Sequence, residues 1–462
     1  MDLVSNFKKN VARTFAVGLF VTMLSSAVAA GKSLELGDEA PPDGLEALNS
    51  YIEIALDANG DIRAAEENWR AAVQKSEQAG VPPDPRFSYG YYIQPVETRV
   101  GPQRQRFGLA QTFPWFGKLS LKEQQAVQEA EAQRIRIEEA QLNVIRRVKD
   151  AYYEYAYASQ SLRITRENIE LLNYLERVTE ARYKASLSPY AQFLRIQVEL
   201  ARLEDRRRSL EDILLPLRAR LNAAMSRPST EPIPLAREVP IMIADMTDEQ
   251  IMAGLADGNP ELRALQIKAQ AASTGVEVAR KGYFPDITLG LEYIQTDKAR
   301  VGNPDRNGDD ALVATVSLNI PLWFDARKAS VGEAWSSQAS LRQQGVGTRD
   351  RLNAAMQLAL FKYRDACRKI ALFRDSLLPK AEQSFGATLD AFQTGAQSVL
   401  DLIDAERTLL EFQLSYLRSL ADQGQYMAEM ETLIGHEIPC KVHPAPLHLP
   451  GLERNKDREG GE

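Results

Sequence analysis

Few residues of the sequence have the type and spacing that a reactive or metal-binding site would need. The candidates are two cysteines, Cys367 and Cys440, and three histidines, His436, His443 and His448. These are not in the spacing of zinc ligands, and no HExxH motif, glycine-rich phosphate loop or serine, histidine and aspartate set accompanies them. We therefore expect no enzyme, no cofactor and no bound metal. An exported location would permit a disulfide between the cysteines, but nothing in the sequence supports one.

Composition excludes two further classes. Charged residues make up 26% of the 462 residues, and the net charge is −7 with both signs mixed throughout. No apolar stretch of about 18 residues occurs beyond the N-terminus, which argues against a helical membrane protein. The clustered basic face of a nucleic-acid-binding protein is also absent from the sequence.

The N-terminus has the pattern of a signal peptide over residues 1–29. Positive charges at Lys8, Lys9 and Arg13 precede an apolar run over 14–24 and a small-residue cleavage site at Ala27-Val28-Ala29. An N-terminal membrane anchor is the alternative, but the apolar run is short for a span. No cysteine follows the cleavage site, so we expect export without an N-terminal lipid anchor.

The rest of the chain contains a duplication. Residues 59–64, Asn-Gly-Asp-Ile-Arg-Ala, recur 200 positions later as Asn-Pro-Glu-Leu-Arg-Ala. Further matches follow in the same order: Pro83-Asp84 with Pro285-Asp286, 113–116 with 320–324, and 183–186 with 392–395. This order predicts two repeats, 30–225 and 245–435, joined by a proline-rich linker over 226–244 and followed by an irregular tail over 436–462.

Each repeat is expected to end in two long helices. They are predicted over 119–184 and 190–224 in the first repeat, and over 327–393 and 398–434 in the second. The first has heptad spacing of apolar or small residues: Val144, Val148, Ala151, Tyr155, Ala158, Leu162, Thr165, Ile169 and Leu172. A helix of about 65 residues would extend about 100 Å, which no compact domain accommodates. Taken alone, the heptads would fit an ordinary coiled coil.

A β-hairpin is predicted before the long helices of each repeat, over 86–113 and 286–320. Phe87, Tyr89, Tyr91 and Ile93 alternate with smaller or polar residues, and the connections at 97–103 and 296–310 are polar. Strands of about ten residues fit a tilted membrane strand with an apolar lipid face, although a soluble sandwich shows the same alternation. Four strands cannot close a barrel, so a membrane location would require several copies of the chain.

With this architecture the sequence resembles the TolC family of outer-membrane efflux proteins over residues 45–435. The resemblance lies in three features: the repeated segments 59–64 and 259–264, the residues at the ends of the predicted strands, 111–114 and 319–321, and the segment 392–401. It implies an α+β membrane protein: a homotrimer in which each chain adds four strands to an outer-membrane β-barrel above a periplasmic α-helical barrel. Residues 113–119 are similar to the strand exit of outer-membrane components that serve heavy-metal exporters.

The resemblance also implies a site at the tips of the helical hairpins, where the family contacts its adaptor protein. The residues assigned to the two tips are Ser186, Leu187, Ser188 and Pro189, and Thr394, Gly395, Ala396, Gln397 and Ser398. Asp401 and Asp404 fall where the family has an acidic ring that narrows the pore, attracting cations and repelling anions. Without the family, two carboxylates near a helix N-terminus would be taken to complement the helix dipole.

Two departures from the family pattern affect the tips. Ser186 replaces the usual glycine and Pro189 lies close by, so we expect the first tip to turn differently. Gln397 stands where some members have a basic gating residue. The resemblance therefore does not imply, for this chain, the latch that those members form in their closed state.

The function implied by the resemblance is passive conduction. The chain would form the exit duct of a tripartite efflux system, in the outer membrane with a large periplasmic part. Its partners would be a periplasmic adaptor and an inner-membrane pump of the resistance-nodulation-division type. The rival interpretation is a periplasmic coiled-coil adaptor or scaffold without a pore. The sequence does not specify a cargo.

Overall fold

The structure is a computed structural model that describes residues 43–236 and 238–445. The predicted signal peptide, His448 and the end of the tail lie outside the described residues. The first repeat contains helices α1 (Asp43–Ala58) and α2 (Gly60–Ala79), strands β1 (Arg86–Thr98) and β2 (Gly101–Phe113), and helices α3 (Lys118–Lys184) and α4 (Tyr190–Ala224).

The second repeat has the same order of elements. After strand β3 (Ile241–Ala244) come helices α5 (Asp248–Gly258) and α6 (Pro260–Arg280), strands β4 (Ile287–Thr296) and β5 (Ala311–Leu318), helices α7 (Phe324–Leu372), α8 (Leu378–Thr394) and α9 (Val399–Ile434), and strand β6 (Cys440–His443). No helix in the two described ranges is both long and apolar enough to cross a bilayer.

The repeated asparagine has the same two roles in both repeats. As the N-cap residue, Asn59 accepts a hydrogen bond from the N–H of Asp61 at 2.9 Å, and Asn259 accepts one from Leu262 at 3.1 Å. The amide nitrogen of Asn259 also donates to the carbonyl of Leu433 at 2.8 Å, and that of Asn59 donates to Ala224 at 3.4 Å. Each asparagine therefore caps one helix and binds the last turn of another, which closes its repeat.

Helix α3 confirms the heptad prediction. All nine predicted positions are buried, with at most 7% of any residue exposed, and α3 packs against α4, α6 and α9. The helix has 67 residues, which corresponds to about 100 Å at about 1.5 Å per residue. Its stability comes from packing of this buried stripe rather than from local propensity.

The long helix predicted over 327–393 is wrong in one respect, because it is not a single α-helix. It begins at Phe324, and a π-helical segment, Phe373–Leu377, separates α7 from α8. The three glycines of α7 do not interrupt the helix. The π segment immediately precedes the first turn of α8, which contains Pro379, a residue with no N–H to donate to a preceding carbonyl.

The strands β1, β2, β4 and β5 form one antiparallel sheet in the order β1-β2-β4-β5. The hairpins of the two repeats therefore meet through β2 and β4. The polar loop predicted over 97–103 is wrong, since β1 continues to Thr98 and β2 begins at Gly101. Gly101 has a φ of 129°, a conformation open to glycine that permits the tight turn.

A second sheet occupies segments predicted to be irregular. Strand β3 lies in the predicted linker, β6 lies in the predicted tail, and the two pair antiparallel. The N–H of Met242 donates to the side chain of Gln423 on α9 at 2.9 Å, and the hydroxyl of Tyr363 on α7 donates to the Met242 carbonyl at 3.0 Å. The linker and the tail are thus fastened to the long helices.

Candidate functional site at the hairpin tips

The two hairpin tips share two backbone hydrogen bonds, and the second tip adds one from the N–H of Gln397 to the carbonyl of Ala391 at 3.2 Å. Ser186 and Gly395 both have positive φ angles, 60° and 83°. In each tip the N–H of this residue donates three residues back, at 2.9 and 3.1 Å, and the next N–H donates five residues back, at 2.8 Å in both. The prediction that the first tip turns differently is therefore wrong. Serine adopts the left-handed conformation at a cost of about 1 kcal/mol.

The tips present mostly exposed side chains. Of the nine predicted residues, only Ser188 and Ser398 are half-buried. Leu187 is 75% exposed, although it is apolar, and it is the largest apolar side chain of the first tip.

Asp401 has a local structural role. Its carboxylate accepts hydrogen bonds from the N–H of Ser398 at 3.1 Å and from the Ser398 hydroxyl at 2.7 Å, while the hydroxyl oxygen accepts from the N–H of Asp401. This capping box starts α9. The hydrogen bond from the Ser398 side chain lowers the pKa of Asp401, so the carboxylate stays charged.

The carboxylate of Asp404 makes fewer contacts than that of Asp401. Its side chain is 63% exposed, and its nearest cation is Arg407 at 4.0 Å. Residues three apart lie on the same side of a helix, so both carboxylates point from one face of the start of α9. This arrangement fits the helix-dipole interpretation for Asp401 and leaves Asp404 available to solutes.

The sequence did not indicate a contact that joins the two tips. Arg182, near the end of α3, donates to the carbonyl of Phe392 at 2.7 Å and to that of Gln393 at 3.1 Å, both near the end of α8. Its guanidinium also lies 4.9 Å from the centre of the Phe392 ring. The arginine therefore satisfies terminal carbonyls of α8 and complements its dipole. A basic residue in a last helical turn was the only available signal.

Two buried carboxyl groups lie behind the tips. Glu199 of α4 and Glu406 of α9 are each 1% exposed. Arg407 donates from Nε to Glu199 at 3.0 Å, and Arg202 lies 3.8 Å from the same carboxylate. Neither oxygen of Glu406 has a hydrogen-bond partner among the described residues. Burial, with a smaller contribution from Glu199, raises the pKa of Glu406 to about 7.

The four-stranded sheet exposes one apolar face. Ten of its large side chains are between 42% and 71% exposed: Phe87, Tyr89, Tyr91, Leu109, Leu289, Leu291, Tyr293, Leu312, Val316 and Leu318. The other face carries mostly small or polar residues, with Ile294 and Val313 as apolar exceptions, and a Cβ on Gly108 would lie 2.5 Å from the Ser88 hydroxyl oxygen. A continuous apolar surface of this kind needs a non-aqueous neighbour.

The residues with potential for metal chemistry do not come together. Cys367 and Cys440 are both free thiols. No group of three or more His, Cys, Asp or Glu side chains within residues 43–236 and 238–445 could hold a metal ion.

Comparison with known proteins identifies relatives by sequence and a solved structure with this fold. The cobalt-zinc-cadmium resistance protein CzcC of Cupriavidus metallidurans is 25% identical over 171 residues, which are 37% of this chain and 38% of that protein. The pyoverdine export outer membrane protein OpmQ of Pseudomonas putida is 21% identical over 416 residues, 84% of this chain and 85% of that protein. The crystal structure of the outer membrane protein VceC of Vibrio cholerae matches with a TM-score of 0.69 at 18% identity, over 85% of this chain and 97% of VceC.

The family comparison covers both repeats. The model of the outer membrane efflux protein family matches residues 51–225 and 254–436, which together exceed half of the chain. The predicted resemblance and the outer-membrane location are confirmed, and the adaptor or scaffold alternative is disfavoured. The protein belongs to the outer membrane efflux protein family.

Proposed function

We propose that three copies of this chain form one outer-membrane channel, which is the exit duct of a tripartite efflux or export system. The observation that carries the proposal is the exposed apolar face of the four-stranded sheet. The strands have 13, 13, 10 and 8 residues, close to the length of about 9–11 residues that a tilted strand needs to cross a bilayer.

The strand order supports assembly. Among the described residues, β1 and β5 each have a single neighbour, so one edge of each remains open. An open edge inside a bilayer would leave N–H and C=O groups without partners, at several kcal/mol for each group. Closure by copies of the same chain removes both edges, and three copies would give about twelve strands with an interior for solutes.

The duct is passive in this proposal. The inward face of the sheet carries mostly small and polar side chains, and the long helices would continue the passage through the periplasm. OpmQ is named for pyoverdine export and CzcC for resistance to cobalt, zinc and cadmium, so relatives differ in cargo. The proposal therefore assigns the choice of cargo to the inner-membrane pump, of the resistance-nodulation-division type, rather than to this chain.

The hairpin tips are the proposed periplasmic entrance. Exposed Leu187 and the polar residues of the second tip would contact the adaptor protein. Asp401 and Asp404 would form the acidic constriction when symmetric copies bring them together. Since Asp401 is held by Ser398, the exposed carboxylate of Asp404 is the better placed of the two to interact with passing ions.

Membrane fractionation and conductance test the proposal. The protein should fractionate with the outer membrane, have the native mass of a trimer after detergent extraction, and conduct ions in a planar bilayer. Val316→Asp places a charge on the apolar face and should abolish assembly, whereas Ser317→Asp on the inward face should preserve it. A soluble monomer without conductance would overturn the proposal.

A further inference from the structure

We infer that copies of this chain join along β5 and β1 in one specific register, with Val316 of one copy opposite Tyr89 of the next. In this register Leu318 lies opposite Phe87 and Ala314 lies opposite Tyr91. The inference rests on the proposed assembly but goes beyond it, since a barrel could close in several registers. It is carried by the internal duplication, because the chain already contains one junction between a first and a second repeat.

The two hairpins can be matched residue by residue. Asp84 and Asp286 are 202 positions apart, and the same spacing matches Phe87 in β1 with Leu289 in β4. Phe87 is paired with Leu109, and Leu289 is paired with Val316. Leu109 therefore corresponds to Val316, 207 positions later. Pro114 and Pro321, which follow these strands, have the same spacing of 207, so the match holds beyond the hairpins.

The junction inside the chain supplies the template. There β2 of the first repeat pairs with β4 of the second, with Leu109 opposite Leu291. In the other repeat, the counterpart of Leu109 is Val316 and the counterpart of Leu291 is Tyr89. The pairing of β2 with β4 thus becomes a pairing of β5 with β1, and these are the two strands that have an open edge.

The side-chain faces agree with this register. Val316 is 71% exposed and Tyr89 is 55% exposed, and both belong to the apolar face of the sheet. A slip of one residue would turn the apolar side chains of one strand to the inward face, which the proposed membrane location excludes. A slip of two residues would keep the apolar side chains of both strands on the same face. The crosslinking experiment below distinguishes that register from the inferred one.

Contacts below the sheet indicate the same junction. Inside the chain, Asp286 accepts from the N–H of Trp115 at 3.0 Å and from the amino group of Lys118, and the Trp115 ring stacks on Phe284 at 5.3 Å. These contacts fasten the start of β4 to the start of α3.

The counterparts of these groups are uncovered. Asp84 is exposed and has no ion-pair partner within the described residues, and Trp323 before α7 is 78% exposed. Trp323 lies 208 positions after Trp115, and the same spacing matches Lys118 with Ala326, so Arg327 is not its direct counterpart but the basic side chain next to it, which is exposed. The geometry therefore assigns Asp84 of one copy to the start of α7 in the next, with Arg327 in the role of Lys118.

Disulfide crosslinking tests the register. In a background with Cys367→Ser and Cys440→Ser, the double variant Tyr89→Cys with Val316→Cys should form disulfides between copies in outer membranes treated with a mild oxidant. The variant Tyr91→Cys with Val316→Cys, shifted by two residues on the same face, is the matched control. The variant Leu109→Cys with Leu291→Cys tests the equivalent pair inside one chain and calibrates the oxidation.

The yield of linked dimers and trimers on non-reducing gels is the measurement. We expect at least a tenfold faster reaction for the predicted pair than for the shifted pair. Faster reaction of the shifted pair, or equal rates, in protein with the native mass of a trimer would overturn the register while leaving the proposed assembly intact. A monomeric native mass in the cysteine-free background would instead refute the assembly itself.

Discussion

Glu406 should make the stability of the helical hairpins depend on pH. The residue is buried, its oxygens lack hydrogen-bond partners among the described residues, and the carboxylate of Glu199 lies nearby. Its pKa rises from 4.5 to about 7 in the folded chain. The folded state thus holds this proton more tightly than the unfolded state. The resulting contribution to stability is complete below about pH 4.5 and is lost as the pH rises through about 7.

The size of the effect follows from the two pKa values. At about 1.36 kcal/mol for each tenfold change in proton affinity, ionisation of Glu406 should cost the folded state roughly 3 kcal/mol by about pH 8. Glu406→Gln keeps the size of the side chain but cannot ionise. The variant should therefore be similar in stability to the wild type at about pH 5 and more stable than the wild type at about pH 8.

Thermal unfolding followed by circular dichroism in detergent measures this difference. The midpoint of the wild type should fall relative to that of Glu406→Gln as the pH increases, by several degrees over this range. Glu411→Gln removes an exposed carboxylate from the same helix and should keep the pH dependence of the wild type. If the midpoints of wild type and Glu406→Gln stay equally separated from about pH 5 to about pH 8, the assignment of a raised pKa to this group is incorrect.

Three further predictions concern the tips and the core. Asp404→Ala should leave thermal stability within about 0.5 kcal/mol of the wild type but reduce cation selectivity in planar bilayers, and unchanged selectivity would contradict the acidic constriction. Arg182→Gln should weaken the link between the tips by about 1.5–3 kcal/mol, seen as faster hydrogen exchange at the end of α8, whereas unaltered exchange there would count against the link. Gly424→Ala should destabilise the fold by about 1–3 kcal/mol, because its Cβ would lie 2.4 Å from the Tyr153 ring. Gly386→Ala, at an open helical site, should instead stabilise it by about 0.5–1 kcal/mol, and equal effects of the two changes would refute the packing argument.

The long helices and the sheet could be predicted because their patterns are local and repeated. The heptad of α3 and the alternation from Phe87 to Tyr91 each follow from the period of one element. The pairing of β3 with β6 could not be predicted in this way. Its two strands have four residues each and are separated by almost the whole second repeat, so no local pattern relates Met242 to Val442.

Less of the candidate site than of the fold could be predicted from the sequence. The positions of the tips followed from the breaks between helices, but the contacts of Arg182 depend on how α3 packs beside α8. The serine at position 186 suggested a different turn, whereas packing of the long helices overrides its preference for other backbone conformations. For Glu406 the duplication offered one weak indication. The matching residue of the first tip, 209 positions earlier, is Gln197, so a carboxyl group is not required at this position. Neither residue indicates that the carboxyl group would be buried.

The π-helical segment keeps the buried residues of α7 and α8 in the same pattern as those of α3. Six buried residues of α7 each lie 208 positions after a buried residue of α3: Leu352, Met356, Ala359, Tyr363, Ala366 and Ile370. Beyond the segment, Leu378 and Ala381 lie 209 positions after Ile169 and Leu172. The segment thus holds a single inserted residue without turning the helix that follows. Loss of one residue from 373–377 would restore a plain α-helix with both buried stripes in phase. Loss of one residue within α7 would instead rotate all residues after the deletion by about 100° relative to those before it.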